Sequence, residues 1–264
     1  MSQSFVKYHA TGNDFLIFSH ALSNPSEVAI KHCHRRFGFG ADGILFATPS
    51  EIADIKMHYY NADGSIASMC GNGYRAFVRY CLDKGLLEGT SFLVETAVGV
   101  IESSLYEDQD IELKFNTVIE ELKPPHVLKP TKLKNPVHIE NHLMHVLFVG
   151  TLHGVVFVDD PFKVSDELAH AMCTSSFFPH HINVNFVAVK SPTELSVRTY
   201  ERGVGWTYSC GTGSVASGVV AHSVIGCESK LKVHVLGGDL SVRLHDSFWH
   251  LKGSATIVGK GEML

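Results

Sequence analysis

Two stretches of this chain look like versions of one another, and the pair constrains the fold more than any other feature. One runs from Asn61 through Ala62-Asp63-Gly64-Ser65 to Cys70-Gly71-Asn72-Gly73; the other runs from Glu201-Arg202-Gly203 to Cys210-Gly211-Thr212-Gly213. Each sets one cysteine before Gly-polar-Gly, and each is followed by a segment whose pattern predicts a helix, over 74–84 and 214–225. A glycine turn that opens a helix leaves backbone N–H groups unpaired and pointing outward. That end carries partial positive charge, so it attracts anions and favours a thiolate over a thiol. Two copies of the device predict two thiols and two anion-binding helix ends converging on one small molecule.

The flanking sequence repeats as well. Alternating strands at 55–60 and 195–200 deliver the chain into the two loops. The first half adds strands at 5–9, 15–18, 92–96, 100–106 and 111–115, a helix at 26–37 and a glycine-punctuated loop entering a strand at 39–46. The second half adds strands at 145–149, 154–158 and 183–189, a helix at 164–171, and closing strands at 232–236, 240–244, 248–252 and 255–258. The proline- and lysine-rich run at 122–136 reads as a connecting loop or boundary. This is an internal duplication. It predicts an α+β fold of two pseudo-symmetric α/β domains, with the functional site in a cleft between them and one cysteine loop from each.

Composition narrows the function. The chain has 264 residues, 45% hydrophobic and 19% charged, with a formal net charge of −5, which favours neither nucleic acid nor an anionic membrane as partner. Its start lacks a basic and apolar leader, and no apolar run reaches bilayer length, so a soluble, cytoplasmic protein is expected. The six cysteines form no C-x-x-C pair. His138, His142 and His145 beside Glu140 read as polar strand and loop positions, and no metal is expected. Cys33, Cys81, Cys173 and Cys227 read as structural, and Arg75 and Arg79 as surface or structural residues of a helix.

Two such thiols suit one kind of chemistry. If an amino acid lay between them, the helix ends would hold its α-carboxylate and the sulfurs would flank Cα. A thiolate on one side removes the α-proton and a thiol on the other returns one, inverting the centre. A thiol titrates near pH ~8.5 and a helix end lowers that value, which fits it for both transfers. The charge moving into the carboxylate would be stabilised by preorganised N–H donors, as in an oxyanion hole. No phosphate cup or Schiff-base lysine context is present, so no cofactor is expected. The expectation is a racemase or epimerase; a thiol redox protein, a cysteine hydrolase and a non-catalytic amino-acid-binding module are the competing classes.

The residues now assembled resemble the diaminopimelate epimerase family along nearly the whole chain. The matching pieces are His9 to Phe15, Gly38 to Gly43, Tyr60 to Ser65, Met69 to Arg75, Tyr200 to Gly205 and Cys210 to Gly213. The resemblance implies two domains, 1–117 with 252–264 and 118–251, each a strongly curved mixed sheet around a central helix. It implies cofactor-independent epimerisation of LL-2,6-diaminopimelate to the meso form, a step towards lysine and peptidoglycan precursors, by a homodimer. Cys70 and Cys210 would be the acid/base pair. Asn13, Gly43, Asn61, Gly71, Asn72, Thr151, Asn183, Glu201, Arg202, Gly211 and Thr212 would bind substrate, and His153 and Glu201 would modulate the thiols. Arg202 suits a distal carboxylate and Glu201 a distal ammonium, which argues against the alternative of a proline or hydroxyproline racemase; a glutamate-type racemase is the other alternative. Phenazine-type isomerases rely on a carboxylate in place of the paired cysteines. The chain departs from the family pattern at Thr151-Leu152, where Asn-Pro is usual, at Gly43, where some members have glutamine, and at Gly259, where an aromatic dimer contact is common.

Overall fold

The computed structural model describes residues 3–67, 69–116 and 118–263. The chain divides into two compact units, Met1–Lys114 with Lys252–Leu264, and Phe115–Leu251.

In the first unit, β1 (Gln3–Ala10) and β2 (Asn13–Phe18) form an antiparallel hairpin whose turn holds Thr11 and Gly12 at positive φ. Helix α1 (Pro25–His32) carries the chain over to β3 (Gly43–Thr48), which lies parallel to β2. Strand β4 (Ile55–Asn61) returns antiparallel to β3. Helix α2 (Gly71–Asp83) then crosses to β5 (Ser91–Thr96), parallel to β4. Strands β6 (Gly99–Leu105) and β7 (Ile111–Phe115) complete the run antiparallel. Parallel neighbours need a crossover, and a helix supplies it at each parallel step.

The second unit repeats this order after three short strands, β8 (Glu121–Leu122), β9 (Thr131–Lys132) and β10 (Val137–Ile139). Strands β11 (His142–Val149) and β12 (Thr151–Phe157) are antiparallel. Helix α3 (Asp166–Cys173) crosses to β13 (Asn183–Ser191), parallel to β12. Strand β14 (Glu194–Glu201) is antiparallel to β13 and pairs with the short β15 (Gly205–Trp206). Helix α4 (Gly211–Val220) then crosses to β16 (Lys230–Val235), parallel to β14, and β17 (Gly238–His245) turns back on it. After β18 (Phe248–Gly253), β19 (Thr256–Met263) pairs antiparallel with β1. The series antiparallel, parallel, antiparallel, parallel, antiparallel therefore occurs twice, and α2 and α4 occupy the same step of it.

Those two helices are buried nearly all round. Helix α2 packs on β1, β2, β3 and β4, and its residues from Gly71 to Val78 are all buried. Helix α4 packs on β11 to β14, β16 and β17. A helix so enclosed must be apolar or internally satisfied. Helix α4 carries no charge, and the hydroxyls of Ser214 and Ser217 donate to the carbonyls of Cys210 at 2.9 Å and Gly213 at 2.7 Å. A Cβ on Gly218 would fall 2.8 Å from the Val242 Cγ1, so the small residues of α4 let it lie close to its sheet.

Several boundaries differ from the sequence expectation. Helix α1 stops at His32, not at 37, because the chain doubles back and the N–H groups of Phe39 and Gly40 cap the His32 carbonyl at 2.8 and 3.2 Å. Helices α2 and α4 start three residues earlier than expected, directly after their cysteines. Past Val220 the helix widens into a π turn over Ala221–Ile225 and ends at Gly226 with φ +86°. Strand β19 runs on to Met263 instead of ending at 258. The proline-rich run lies inside the second unit, where Leu122 and Val127 join its core.

Candidate active site

In the first unit the site is built at the start of α2. Cys70 has the extended backbone of an N-cap, φ −144° and ψ 118°, and its sulfur accepts the Gly73 N–H at 3.4 Å. Asn13, the first residue of β2, lies beside it. The Asn13 Nδ2 faces the Asp42 carboxylate, which fixes its amide, so Oδ1 accepts from the Cys70 thiol at 3.4 Å and from Asn72 Nδ2 at 3.5 Å. The Asp42 carboxylate is anchored in turn by the Asp14 N–H at 3.0 Å and the Arg35 guanidinium at 2.7 Å. Arg35 also pairs with Asp14 at 2.7 Å. Paired with Arg35 and Lys7, the Asp14 carboxyl sits below its ordinary range even though burial acts the other way. This chain of contacts leaves Cys70 with an acceptor that prefers the thiol form.

Asn72 is buried, and its Oδ1 accepts from Arg75 Nη2 at 2.8 Å. Arg75, expected at the surface or in a structural place, is wholly buried. It also donates to the carbonyls of Gly71 at 3.3 Å and Ser254 at 3.5 Å and to Thr11 Oγ1 at 3.3 Å. Burial brings its pKa down to about 10, opposed by Cys70 when that group is ionised and by the Asp110 carboxylate. Asn61 ends β4 opposite Gly43 of β3. Its Nδ2 donates to Ser65 Oγ at 3.0 Å, inside a turn that Asp63 shapes by accepting the Ser65 N–H at 2.9 Å. Gly43 has a packing reason to lack a side chain, since a Cβ would meet the Tyr60 carbonyl at 2.5 Å and the Tyr59 ring at 2.7 Å.

In the second unit the matching site stands at the start of α4. Cys210 is again the extended N-cap, φ −124° and ψ 112°, and its sulfur lies 3.4 Å from Thr212 Oγ1. His153, on β12 and wholly buried, brings Nε2 to 3.0 Å from the same hydroxyl. Burial and the Arg202 charge push its pKa down to about 3, so the ring is neutral. Asn183, opposite His153 in the parallel β12–β13 register, accepts the Arg202 N–H at 3.0 Å and so fixes the turn after β14. The exposed Arg202 side chain donates to the His180 carbonyl at 3.2 Å. Glu201 accepts from Thr207 at 2.9 Å. Thr151 opens β12 directly after Gly150, whose φ is +67° and whose Cβ direction points at the Thr212 methyl, 3.6 Å away.

The structure thus gathers Cys70, Gly71, Asn72 and Asn13 at one helix start, and Cys210, Gly211, Thr212 and His153 at the other, with Asn183 and Arg202 bonded to each other on the side of His153. Sequence reading passed over Thr11, Asp42, Asn185, whose amide lies 3.2 Å from His153 Nδ1, and Thr199, which donates to Asn185 at 3.0 Å. Thr11 and Asp42 lie in the blocks that carry the family resemblance, and Asn185 sits two residues along β13 from Asn183, on the same face. The remaining cysteines are buried, and burial raises each of their pKa values, Cys33 to about 12. His145 is buried with its ring on the Leu133 carbonyl at 2.7 Å, and no metal-ligand cluster occurs among the described residues.

A family profile described as Diaminopimelate epimerase matches residues 5–118 and 146–260, which take in both helix starts. The chain belongs to the diaminopimelate epimerase family. Relatives bearing that name include one from Caldanaerobacter subterraneus subsp. tengcongensis, 39% identical over 98% of both chains. One from Methanocella arvoryzae is 38% identical over 98% of this chain and 96% of its own. Among solved structures, a PhzF-family phenazine biosynthesis protein from Bacillus anthracis aligns with a TM-score of 0.75 at 17% identity, covering 100% of this chain and 99% of that one. A hydroxyproline epimerase from Agrobacterium vitis aligns with a TM-score of 0.70 at 12% identity, covering 99% and 91%. At those identities the structural likeness speaks for the two-repeat fold alone.

Proposed function

We propose that this chain epimerises LL-2,6-diaminopimelate to meso-diaminopimelate by a two-base mechanism, in the supply of lysine and peptidoglycan precursors. The observation that carries it is the pair of cysteine-capped helices, α2 and α4, at the same step of a repeated topology in a chain of this family. Inversion at Cα needs a base on one face and an acid on the other. Cys70 and Cys210 fill those roles, and which one accepts the proton depends on the stereochemistry of the bound centre. The N–H groups of Gly71, Asn72, Gly211 and Thr212 are the first donors of the two helices, and they hold the reacting carboxylate. As the α-proton leaves, charge moves into that carboxylate, and fixed donors in a dry site stabilise it without reorganising.

The unreactive end of the substrate carries its own ammonium and carboxylate. Arg202 has guanidinium donors beyond its bond to His180, and Glu201 supplies the opposite charge. Asn13, Asn61 and Asn183 provide neutral hydrogen bonds, and Thr151 contributes one hydroxyl. Gly43 contributes backbone only. His153 and Glu201 tune the thiols. No helix among the described residues is long and apolar enough to cross a membrane. A homodimer is the proposed assembly.

The test is a substrate panel in heavy water with chiral analysis of each product. LL-diaminopimelate is expected to yield the meso form with deuterium at the inverted carbon, while proline and glutamate stay unchanged. Turnover of proline with none of diaminopimelate overturns the substrate assignment. Binding without solvent exchange at Cα overturns the enzymatic one.

A further inference from the structure

Asn185 lies wholly buried on β13 beneath the first turn of α4. Its surroundings fix its orientation. The Nδ2 sits 3.0 Å from the Gly154 carbonyl, an atom that can only accept, so the amide nitrogen must be on that side. The Oδ1 on the other side accepts from Thr199 Oγ1 at 3.0 Å. The second Nδ2 hydrogen points at His153 Nδ1, 3.2 Å away. That ring nitrogen must therefore be bare, and the single ring proton of a neutral His153 belongs on Nε2. From there it donates to Thr212 Oγ1 at 3.0 Å. The Thr212 hydroxyl, already accepting from the ring, has its own proton to give, and Cys210 Sγ is 3.4 Å away.

We propose that Asn185 is a positioning residue for Cys210. It holds His153 in the Nε2–H form, and through that ring it aims the Thr212 hydroxyl proton at the Cys210 sulfur. The relay has one direction, from the Asn185 amide to the imidazole, to the hydroxyl and to the sulfur. Each link donates onward, so the end of the chain is an acceptor, which a thiolate satisfies better than a thiol. Around Cys70 the side-chain arrangement differs: Asn13 Oδ1 accepts from the sulfur, and the donor to that sulfur is the backbone N–H of Gly73. The charged groups near this relay are few. Helix α4 has none, His153 faces Leu147 on β11 and Asn183 on β13, and Arg202 and Glu201 lie at the end of β14. Arg202 disfavours a second proton on His153. Gly213 makes the placement of Asn185 possible, since a Cβ there would fall 2.2 Å from the Asn185 Oδ1.

The inference rests on Cys210 being one of the two working thiols, but its test is made without substrate and is separable from turnover. Nitrogen NMR of histidine-labelled protein is expected to show His153 protonated on Nε2 and bare on Nδ1 across the neutral range; the reverse pattern in the unaltered chain overturns the proposal. Asn185→Asp is nearly isosteric and presents acceptors where the amide presented a donor. It is expected to move the ring proton to Nδ1, so that Nε2 draws the Thr212 hydroxyl proton away from the sulfur.

The Cys210 titration is then read from ultraviolet thiolate absorbance, as the difference from the same chain carrying Cys210→Ser. Its midpoint is expected to rise by about one pH unit, roughly a tenfold loss of thiolate below the midpoint. Thr212→Val is expected to raise it similarly. The double variant should rise no further, because both changes cut one relay. A midpoint unmoved by Asn185→Asp, or a full extra rise in the double variant from the new carboxylate acting through space, overturns the relay. Either result leaves the epimerase reading standing. Failure to turn over diaminopimelate, with these shifts observed, does the reverse.

Discussion

Arg75 is a buried cation whose acceptors are all neutral: two carbonyls, the Thr11 hydroxyl and the Asn72 amide oxygen. Removing the guanidinium spares the cost of burying a charge but strands those acceptors, at about 1–3 kcal/mol for each one left unsatisfied. Arg75→Met is expected to lower stability by about 2–4 kcal/mol in urea unfolding. With Asn72 no longer anchored at the helix start, kcat/KM is expected to fall at least tenfold, a modest figure beside the roughly hundredfold that a small misplacement costs. His153 gives a pH signature. Its pKa is about 3 in the folded chain against 6.5 ordinarily, so below pH 6.5 the unfolded chain takes up a proton that the folded one refuses. Its contribution is complete above that value and is lost as pH falls towards about 3, at about 1.4 kcal/mol per pH unit. His153→Gln is expected to flatten that part of the stability profile in urea unfolding between those limits.

At the scale of elements, the two cysteine helices are matched in position and unequal in tolerance. A Cβ at Gly73 would meet the edge of the Phe15 ring at 3.2 Å, a side chain that can shift slightly. A Cβ at Gly213 would fall 2.2 Å from the oxygen of the Asn185 amide, a group held by one hydrogen bond at that oxygen and two at its nitrogen. Gly213→Ala is expected to cost about 1–3 kcal/mol by overpacking and Gly73→Ala under about 1 kcal/mol. Thermal unfolding of the two variants checks the order, and equal losses contradict it. The sequence pattern located both helices and their cysteines, because Cys-Gly-polar-Gly before an apolar run is a local signal. It did not show that the helices begin at the glycines themselves, since glycine has poor intrinsic helix propensity and burial against the sheet overrides it. Nor did the spacing of α1 reveal its early stop, which depends on Phe39 and Gly40 folding back onto His32.

For the whole molecule, the duplication was legible from the order of strands and loops, and the structure restates it as one pairing series run twice, with α1 answering α3 and α2 answering α4. What a sequence scan cannot supply is partner identity across long separations. That His153 reaches Thr212, that Asn13 reaches Asp42, and that Arg75 is enclosed beneath Thr11 all depend on which strands become neighbours. The proposed mechanism needs both sulfurs in one inversion. Single Cys70→Ser and Cys210→Ser chains, given LL-diaminopimelate in heavy water, test it most directly through stereochemistry and deuterium content at Cα. Each variant is expected to lose epimerisation by at least about a thousandfold while remaining folded. Full epimerisation by either variant contradicts it.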